Sequence, residues 1–419
     1  MKRIPVFLLF CMLLVPLSAV AAELGSDVAG LLAYAREHNP ELAAMRHEAD
    51  AAVQRVQPAG ALPDPVLRAE LMDVTNQGNN KSASLWPSEV GSTRYLLMQS
   101  VPWFGKRGMQ REVAEAQAEQ ADGQVVATWA ELAARIKASY ASYYYLSASE
   151  KLARRTLELL DTLERVARTR YANGLGTQQE AIRAQIEQTG LRAELIELQN
   201  EGHHQQSRLN ALLSRPAMAE LAEPARLRPL PAAARLDYQS LSDRLHARNP
   251  QLQIADARSS EAGKNRDLAR VNRYPGFTLG VAPTQNGSSV RSWDLMVELN
   301  LPLQQESRRS QEREAESLLA AAEARKEALL DRMLGELSES VSGLEAARRT
   351  ESLIATRLLP QSELTYQSVL SGYETGTVGF AMLLDAQRQI LNAKRQLLKA
   401  QLEAQLRLAE IERLLGEEL

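Results

Sequence analysis

The chain has 419 residues, a formal net charge of −3 and only 5% aromatic residues. Its length allows two domains, and its balanced charge excludes the concentrated basic surface that a nucleic-acid partner requires. Ala, Leu, Glu, Arg and Gln dominate the middle of the chain, a composition of long helices with polar outer faces.

Residues 1–22 read as a secretion signal. Lys2 and Arg3 give a positive start. The apolar run from Val6 to Leu17 is about 12 residues, short of the roughly 20 that span a bilayer. Small residues follow from Ser18 to Ala22, so the mature chain is expected to begin near Ala22 or Glu23. Cys11, the single cysteine, lies inside the apolar run behind Phe10, which is not a lipidation site. The mature chain is therefore expected to have no disulfide and no thiolate chemistry. No later stretch reaches about 18 uninterrupted apolar residues. Such a chain is either periplasmic or enters the outer membrane as strands.

Two halves follow, 23–214 and 241–419, joined by a linker at 215–240 that carries Pro216, Pro224, Pro229 and Pro231 and cannot be one helix. In the first half the pattern predicts a short helix near 41–57, a β-hairpin over about 65–102, a long helix over 104–172 and a return helix over 177–214. The second half repeats it: a short helix near 251–272, a hairpin over 276–302, a long helix over 303–372 and a return helix over 377–416. Each long span is expected to run unbroken for about 70 residues, or roughly 100 Å.

The halves are copies. His38-Asn39-Pro40-Glu41-Leu42 returns as Arg248-Asn249-Pro250-Gln251-Leu252, Val101-Pro102-Trp103 as Leu301-Pro302-Leu303, and Tyr171-Ala172-Asn173-Gly174 as Tyr373-Glu374-Thr375-Gly376. Further matches keep the same order and nearly the same offset, which marks an internal duplication. The strands alternate: Trp293, Leu295, Val297, Leu299 and Leu301 share one face, and Ser292, Asp294, Met296, Glu298 and Asn300 the other. A strand of about 9 to 11 residues with this pattern suits a half-buried sheet or a tilted membrane strand. The last helix carries a seven-residue spacing at Leu383, Ile390, Leu397, Ala404 and Ile411, as in a coiled coil.

Four strands cannot close a barrel by themselves, since known ones have about eight or more. The fold expected is α+β: a long α-helical coiled-coil barrel plus an antiparallel transmembrane β-barrel completed by trimerisation. A periplasmic coiled-coil adaptor is the alternative reading, and a structural scaffold outside the membrane a third. No phosphate loop and no Ser/His/Asp order is present, so neither an enzyme nor a cofactor is expected.

The pieces Asn39-Pro40-Glu41-Leu42, Leu62-Pro63-Asp64-Pro65, Val101-Pro102-Trp103-Phe104-Gly105-Lys106-Arg107, Arg170-Tyr171-Ala172-Asn173-Gly174 and Leu384-Asp385-Ala386-Gln387-Arg388 resemble, in this order, the TolC-like outer membrane factors. The resemblance is strongest to the CzcC/CusC type of heavy-metal efflux. It implies a homotrimer in outer-membrane lipid, docked to a periplasmic adaptor and an inner-membrane pump of the resistance-nodulation-division class.

The glycine-bearing helix reversals would form the periplasmic tips, with Arg170, Tyr171, Gly174, Gly176 and Thr177 in one and Tyr373, Gly376, Thr377 and Gly379 in the other. The resemblance adds adaptor docking to these turns. It also implies an acidic gate, for which Asp385 is present while Met382 stands where a second acid is common. Glu180 and Arg183 are their counterparts in the first half, and Arg388 is a possible salt-bridge partner for Asp385. Arg68, Glu70, Asp294 and Glu298 would line the lumen. His203-His204, Met45, His47, Met72, Met98 and Met296 attract notice in a metal exporter. Adjacent histidines on a helix diverge by about 100°, and no metal site is expected.

Overall fold

The computed structural model describes residues 24–76 and 82–419. The signal reading of 1–22 and part of the loop after the first strand lie outside the described residues. In chain order the elements are α1 (Val28–His38), α2 (Pro40–Ala59), β1 (Val66–Met72), β2 (Ser92–Val101), α3 (Lys106–Ala172) and α4 (Gln178–Leu212). The second half adds a 3-10 turn at Ala233–Leu236, α5 (Tyr238–Arg248), α6 (Pro250–Val271), β3 (Gly276–Asn286), β4 (Ser289–Asn300), α7 (Gln305–Leu353), a π-turn at Ile354–Leu358, α8 (Leu359–Glu374) and α9 (Phe380–Leu415). No described helix is long and apolar enough to cross a membrane.

The repeated Asn-Pro pieces have a physical meaning. Asn39 and Asn249 cap α2 and α6, each side chain accepting from a backbone N–H three residues on, Leu42 at 3.0 Å and Leu252 at 2.8 Å. Proline follows at the first helical position, where its missing N–H costs nothing. Each half therefore opens with two helices where one was expected, because the Asn-Pro step stops the first and starts the second.

The chain forms two compact units. One comprises the residues up to Glu37, Ile136–Pro229 and Glu351–Leu402; the other His38–Arg135, Leu230–Thr350 and Glu403–Leu419. The second unit holds the sheet, four antiparallel strands in the order β1-β2-β3-β4. β2 pairs with β3, with Leu97 opposite Val281, so the two hairpins are one sheet. β1 is shorter than expected at 7 residues. It ends where Asp73 turns into the left-handed region at φ 51.

The same unit has its core beside the repeat junction. Leu241, Leu245 and Leu252 pack against Met333, Leu337 and Leu344 of α7 and Ile411, Leu414 and Leu415 of α9. Arg413 is largely enclosed here, 2.6 Å from Glu410 and 3.0 Å from Glu336, so its charge is compensated. Glu417 is gripped by Arg244 and Arg248, both at 2.5 Å. Burial pushes the Glu417 carboxyl up, but the two guanidiniums outweigh it and hold the group below its usual value.

The first unit has its own core: Leu160, Leu163 and Ala167 of α3, Ala184, Leu191 and Leu195 of α4, and Tyr373, Phe380, Leu383 and Leu384 of the second half. Here the expectation of an unbroken second long helix fails, because the span contains Pro360. Proline has no N–H for the carbonyl four residues back, and its ring crowds that carbonyl. The helix answers with the π-turn, in which the Leu359 N–H bonds the Ile354 carbonyl five residues back. α3 contains no proline and keeps its α geometry for 67 residues, about 100 Å at the usual rise. The linker is held in this unit as well, its Ala222 and Ala225 N–H groups bonding the carbonyls of Leu24 and Ser26.

Two measurements follow from these contacts. Asn39→Ala and Asn249→Ala each remove a cap bond and are each expected to cost about 1 kcal/mol or more in denaturant unfolding followed by circular dichroism, and Asn249→Ala also strands the Leu414 carbonyl, which the Asn249 amide reaches at 2.7 Å. Because Glu417 is held below its usual value, its stabilisation is present above the ordinary glutamate range near 4.3 and is lost as pH falls through the lowered value. Glu417→Gln at neutral pH should reproduce the acid loss, at about 1 kcal/mol.

Candidate functional site

Both helix reversals close in the same way. At the end of α3 the Leu175 N–H reaches back to the Arg170 carbonyl at 2.8 Å and the Gly174 N–H to the Tyr171 carbonyl at 3.0 Å. At the end of α8 the Thr377 N–H bonds the Gly372 carbonyl at 2.8 Å and the Gly376 N–H the Tyr373 carbonyl at 3.1 Å. This pair of bonds is the Schellman arrangement. It needs a left-handed residue at its centre, and Gly174 and Gly376 supply φ 71 and φ 77. Duplicated sequence thus gives duplicated turns. At their rims Tyr171 and Leu175 are exposed, as are Thr177 and Gly379. Gly176 sits under Arg170, where an added Cβ would come within 3.3 Å of the Arg170 Cβ.

The turns are joined by side chains. The Arg170 guanidinium lies 4.8 Å above the Tyr373 ring. Tyr373 packs on the buried Phe380 at 5.5 Å between centroids and donates its hydroxyl proton to Glu180 at 3.4 Å. Burial and the Glu180 charge raise the Tyr373 pKa, with Arg170 opposing, so the hydroxyl remains a donor. Arg170, Glu180 and Tyr373 therefore form one cluster linking the first half to the second.

Further along, Asp385 is exposed and bonded to Arg388 at 3.2 Å. Arg388 also grips Glu187 of α4, and seven residues on Arg395 grips Glu194. α4 and α9 are thereby bridged at heptad spacing, with the bridging acids Glu187 and Glu194 on α4 and the bridging bases Arg388 and Arg395 on α9. Hydrogen bonding to Glu187 is the leading reason that the Arg388 pKa is raised. Arg183 is exposed, with no ion-pair partner among the described residues, and Met382 is 58% exposed. The four residues singled out for a gate do not form one cluster: Glu180 belongs with Tyr373, Asp385 with Arg388, and Arg183 and Met382 stand apart. Sequence reasoning missed Glu187 and Glu194, although their spacing matches that of Arg388 and Arg395.

In the sheet one face is apolar and bare. Trp293, Leu295 and Val297 of β4 are 71%, 84% and 72% exposed, and their cross-strand neighbours Pro283, Val281 and Leu279 continue the surface. The other face carries Arg68, Glu70, Asp294 and Glu298. It also carries Arg94, which sequence reasoning overlooked, 4.0 Å from Glu70 and 3.9 Å from Asp294. Register explains the contact, since Arg94 lies directly opposite Glu70. This face is not wholly polar, because Leu96, Met98 and Ala282 are buried there with Met296 against them. Met98 and Met296 are thus packing residues, and Met72 lies apart at the end of β1. His203 and His204 are exposed, and no group of metal-ligating side chains occurs among the described residues.

A sheet with a bare apolar face, in a chain that also has duplicated hairpins of very long helices, fits an outer-membrane channel. The chain belongs to the outer membrane efflux protein family, which it matches twice, over residues 31–215 and 241–417. It is 23% identical over 407 residues to the cobalt-zinc-cadmium resistance protein CzcC of Cupriavidus metallidurans, covering 92% of this chain and 88% of that one. Among solved structures it superposes on VceC of Vibrio cholerae with a TM-score of 0.78 at 20% identity, covering 93% of this chain and 96% of that one. It superposes on CusC with a TM-score of 0.78 at 17% identity, covering 93% and 92%. These structural likenesses establish the shared fold.

The turn geometry makes a direct prediction. Gly174→Ala and Gly376→Ala each force a Cβ into the left-handed region and should cost about 1 kcal/mol apiece. Gly190→Ala, in α4 with open space around it, should instead be neutral or stabilising in the same thermal melts.

Proposed function

We propose that three copies of this chain form the exit duct of a tripartite efflux system, conducting heavy-metal cations passively across the outer membrane and periplasm. The sheet carries this reading. Its edge strands β1 and β4 have no outer neighbour among the described residues, and each amide left unpaired in hydrocarbon costs several kcal/mol. Pooling the four strands of three copies gives twelve, enough to close a barrel. The bare face of Leu295 and Val297 then meets lipid, and Arg68, Glu70, Arg94, Asp294 and Glu298 line the lumen.

With no phosphate-binding loop in the sequence, energy and cargo come from an inner-membrane pump of the resistance-nodulation-division class, through a periplasmic adaptor. The adaptor docks on the two turns, where Tyr171, Leu175, Thr177 and Gly379 are accessible. A metal cargo is supported by the likeness to CzcC and by the lumen set, in which three carboxylates oppose two guanidiniums. The gate is a ring of three Asp385 carboxylates, flanked by Met382, Arg183 and Glu180. Arg388 holds the ring closed through Glu187, so opening requires the bridge between α4 and α9 to break.

Planar-bilayer recording tests the duct. Wild-type protein should run as a heat-sensitive trimer and give small, cation-preferring channels. Arg388→Ala should raise single-channel conductance several-fold, and Asp385→Asn should reduce the preference for cations. Protein that inserts yet never conducts would sink the reading. Loss of the gene should sensitise cells to cobalt, zinc or cadmium, whereas sensitivity to dyes alone would reassign the cargo.

A further inference from the structure

The Val101–Arg107 piece has no part in the gate or the turns, yet it sits where chemistry is concentrated. It leads out of β2 into α3, at the end of the sheet that also holds the starts of β1 and β3 and the end of β4. Here Trp103 stacks on Tyr274 at 5.0 Å and 12°. Phe277 lies 6.0 Å from Trp103 and 5.8 Å from Phe104, and Phe104 is 76% exposed. At the other end of the bare face stands Trp293, paired across strands with Pro283. Phe277 and Pro283 are six residues apart, roughly 20 Å along a strand. Aromatic rings thus bound the apolar face at both ends, the pattern of a girdle at each membrane–water interface.

Just beyond the first girdle the charge changes sign. The segments 60–66, 99–113, 262–276 and 300–316 hold ten basic against seven acidic residues, in a chain whose net charge is −3. The carboxylates there are mostly engaged already: Glu306 with Arg309, Glu312 with Arg273 and Glu112 with Lys264. Lys106 has no ion-pair partner among the described residues. Arg107 donates only to the Gly60 carbonyl, at 2.9 Å, and Arg308 only to the Asn272 carbonyl. Arg313 reaches the Arg309 carbonyl and the Ser310 hydroxyl, both at 3.3 Å. The Arg308 Nε is buried with nothing to bond. Four cations thus lack counter-charges, against two free acids at this end, Asp64 and Glu314.

We propose that this band binds the anionic headgroups of membrane phospholipid, with Lys106, Arg107, Arg308 and Arg313 engaging phosphates while Trp103, Tyr274 and Phe104 sit at the level of the glycerol backbone. The inference rests on the membrane-inserted reading above and adds a preference for acidic lipid at the helical end of the sheet. The partner follows from continuity: a phosphate layer is what adjoins an apolar slab of this height, and guanidinium and ammonium groups fit phosphate oxygens.

The test is incorporation into nanodiscs of phosphatidylcholine with and without phosphatidylglycerol, followed by native mass spectrometry of retained lipid. Wild type should retain phosphatidylglycerol several-fold over phosphatidylcholine, and millimolar inorganic phosphate should not displace it. Lys106→Gln with Arg313→Gln should bring the ratio close to one, Lys106→Arg should keep it, and Arg309→Gln, whose partner is Glu306, should change it little. Lys106→Gln alone gives the same readout, at reduced size, if the double variant fails to assemble. Equal retention of both lipids by wild type, or an unchanged ratio in the glutamine variants, overturns the proposal while leaving the channel reading intact. Failure to enter nanodiscs of either composition overturns both.

Discussion

Backbone hydrogen bonding at the edge of a sheet is the constraint on which the rest of this molecule depends. A strand in water can leave its outer amides to solvent; a strand in hydrocarbon cannot. The described residues of one chain supply β1 to β4, with an apolar face that none of them covers. The helices answer a different demand. Each long helix satisfies its own amides, so length costs little, and each unit has an apolar core of its own, one around Leu337 and Leu344 and one around Leu191 and Phe380.

Duplication accounts for much of the economy. The same Asn-Pro cap opens α2 and α6, and the same pair of backbone bonds closes α3 and α8. The halves differ where a single residue forbids identity. Pro360 obliges the second long helix to take in a π-turn, while α3 stays regular. The charges bridging α4 and α9 also break the symmetry, with Glu187 and Glu194 in the first half and Arg388 and Arg395 in the second.

Much of this was legible in the sequence, because the signals were local. Alternation in β4, glycine at the reversals and repetition at an offset near 200 each follow from one stretch of chain. The extra helix at each Asn-Pro step and the short β1 were harder, since a cap and one left-handed aspartate decide them. The candidate site was read less well. Arg94 emerged only from the register of β1 on β2, and the Glu187–Arg388 bridge only from the packing of two helices some 200 residues apart. Asp385 carried a visible partner at the i+3 position, and that contact is present. Glu180 was grouped with the gate from position alone, whereas its contact is with the Tyr373 hydroxyl.

The pairing of β2 with β3 constrains how the molecule can be made. Leu97 and Val281 are opposite each other, yet all of α3, α4, the linker, α5 and α6 lies between them in sequence. The first hairpin can form soon after its residues are made, but its neighbour arrives only when most of the chain has followed. Contacts between such distant segments form slowly, because closure entropy precedes any gain. During that interval the face containing Leu67 and Leu97 has neither lipid nor a completed sheet to cover it. The first hairpin is therefore the part of the chain most open to wrong pairing until the second repeat arrives.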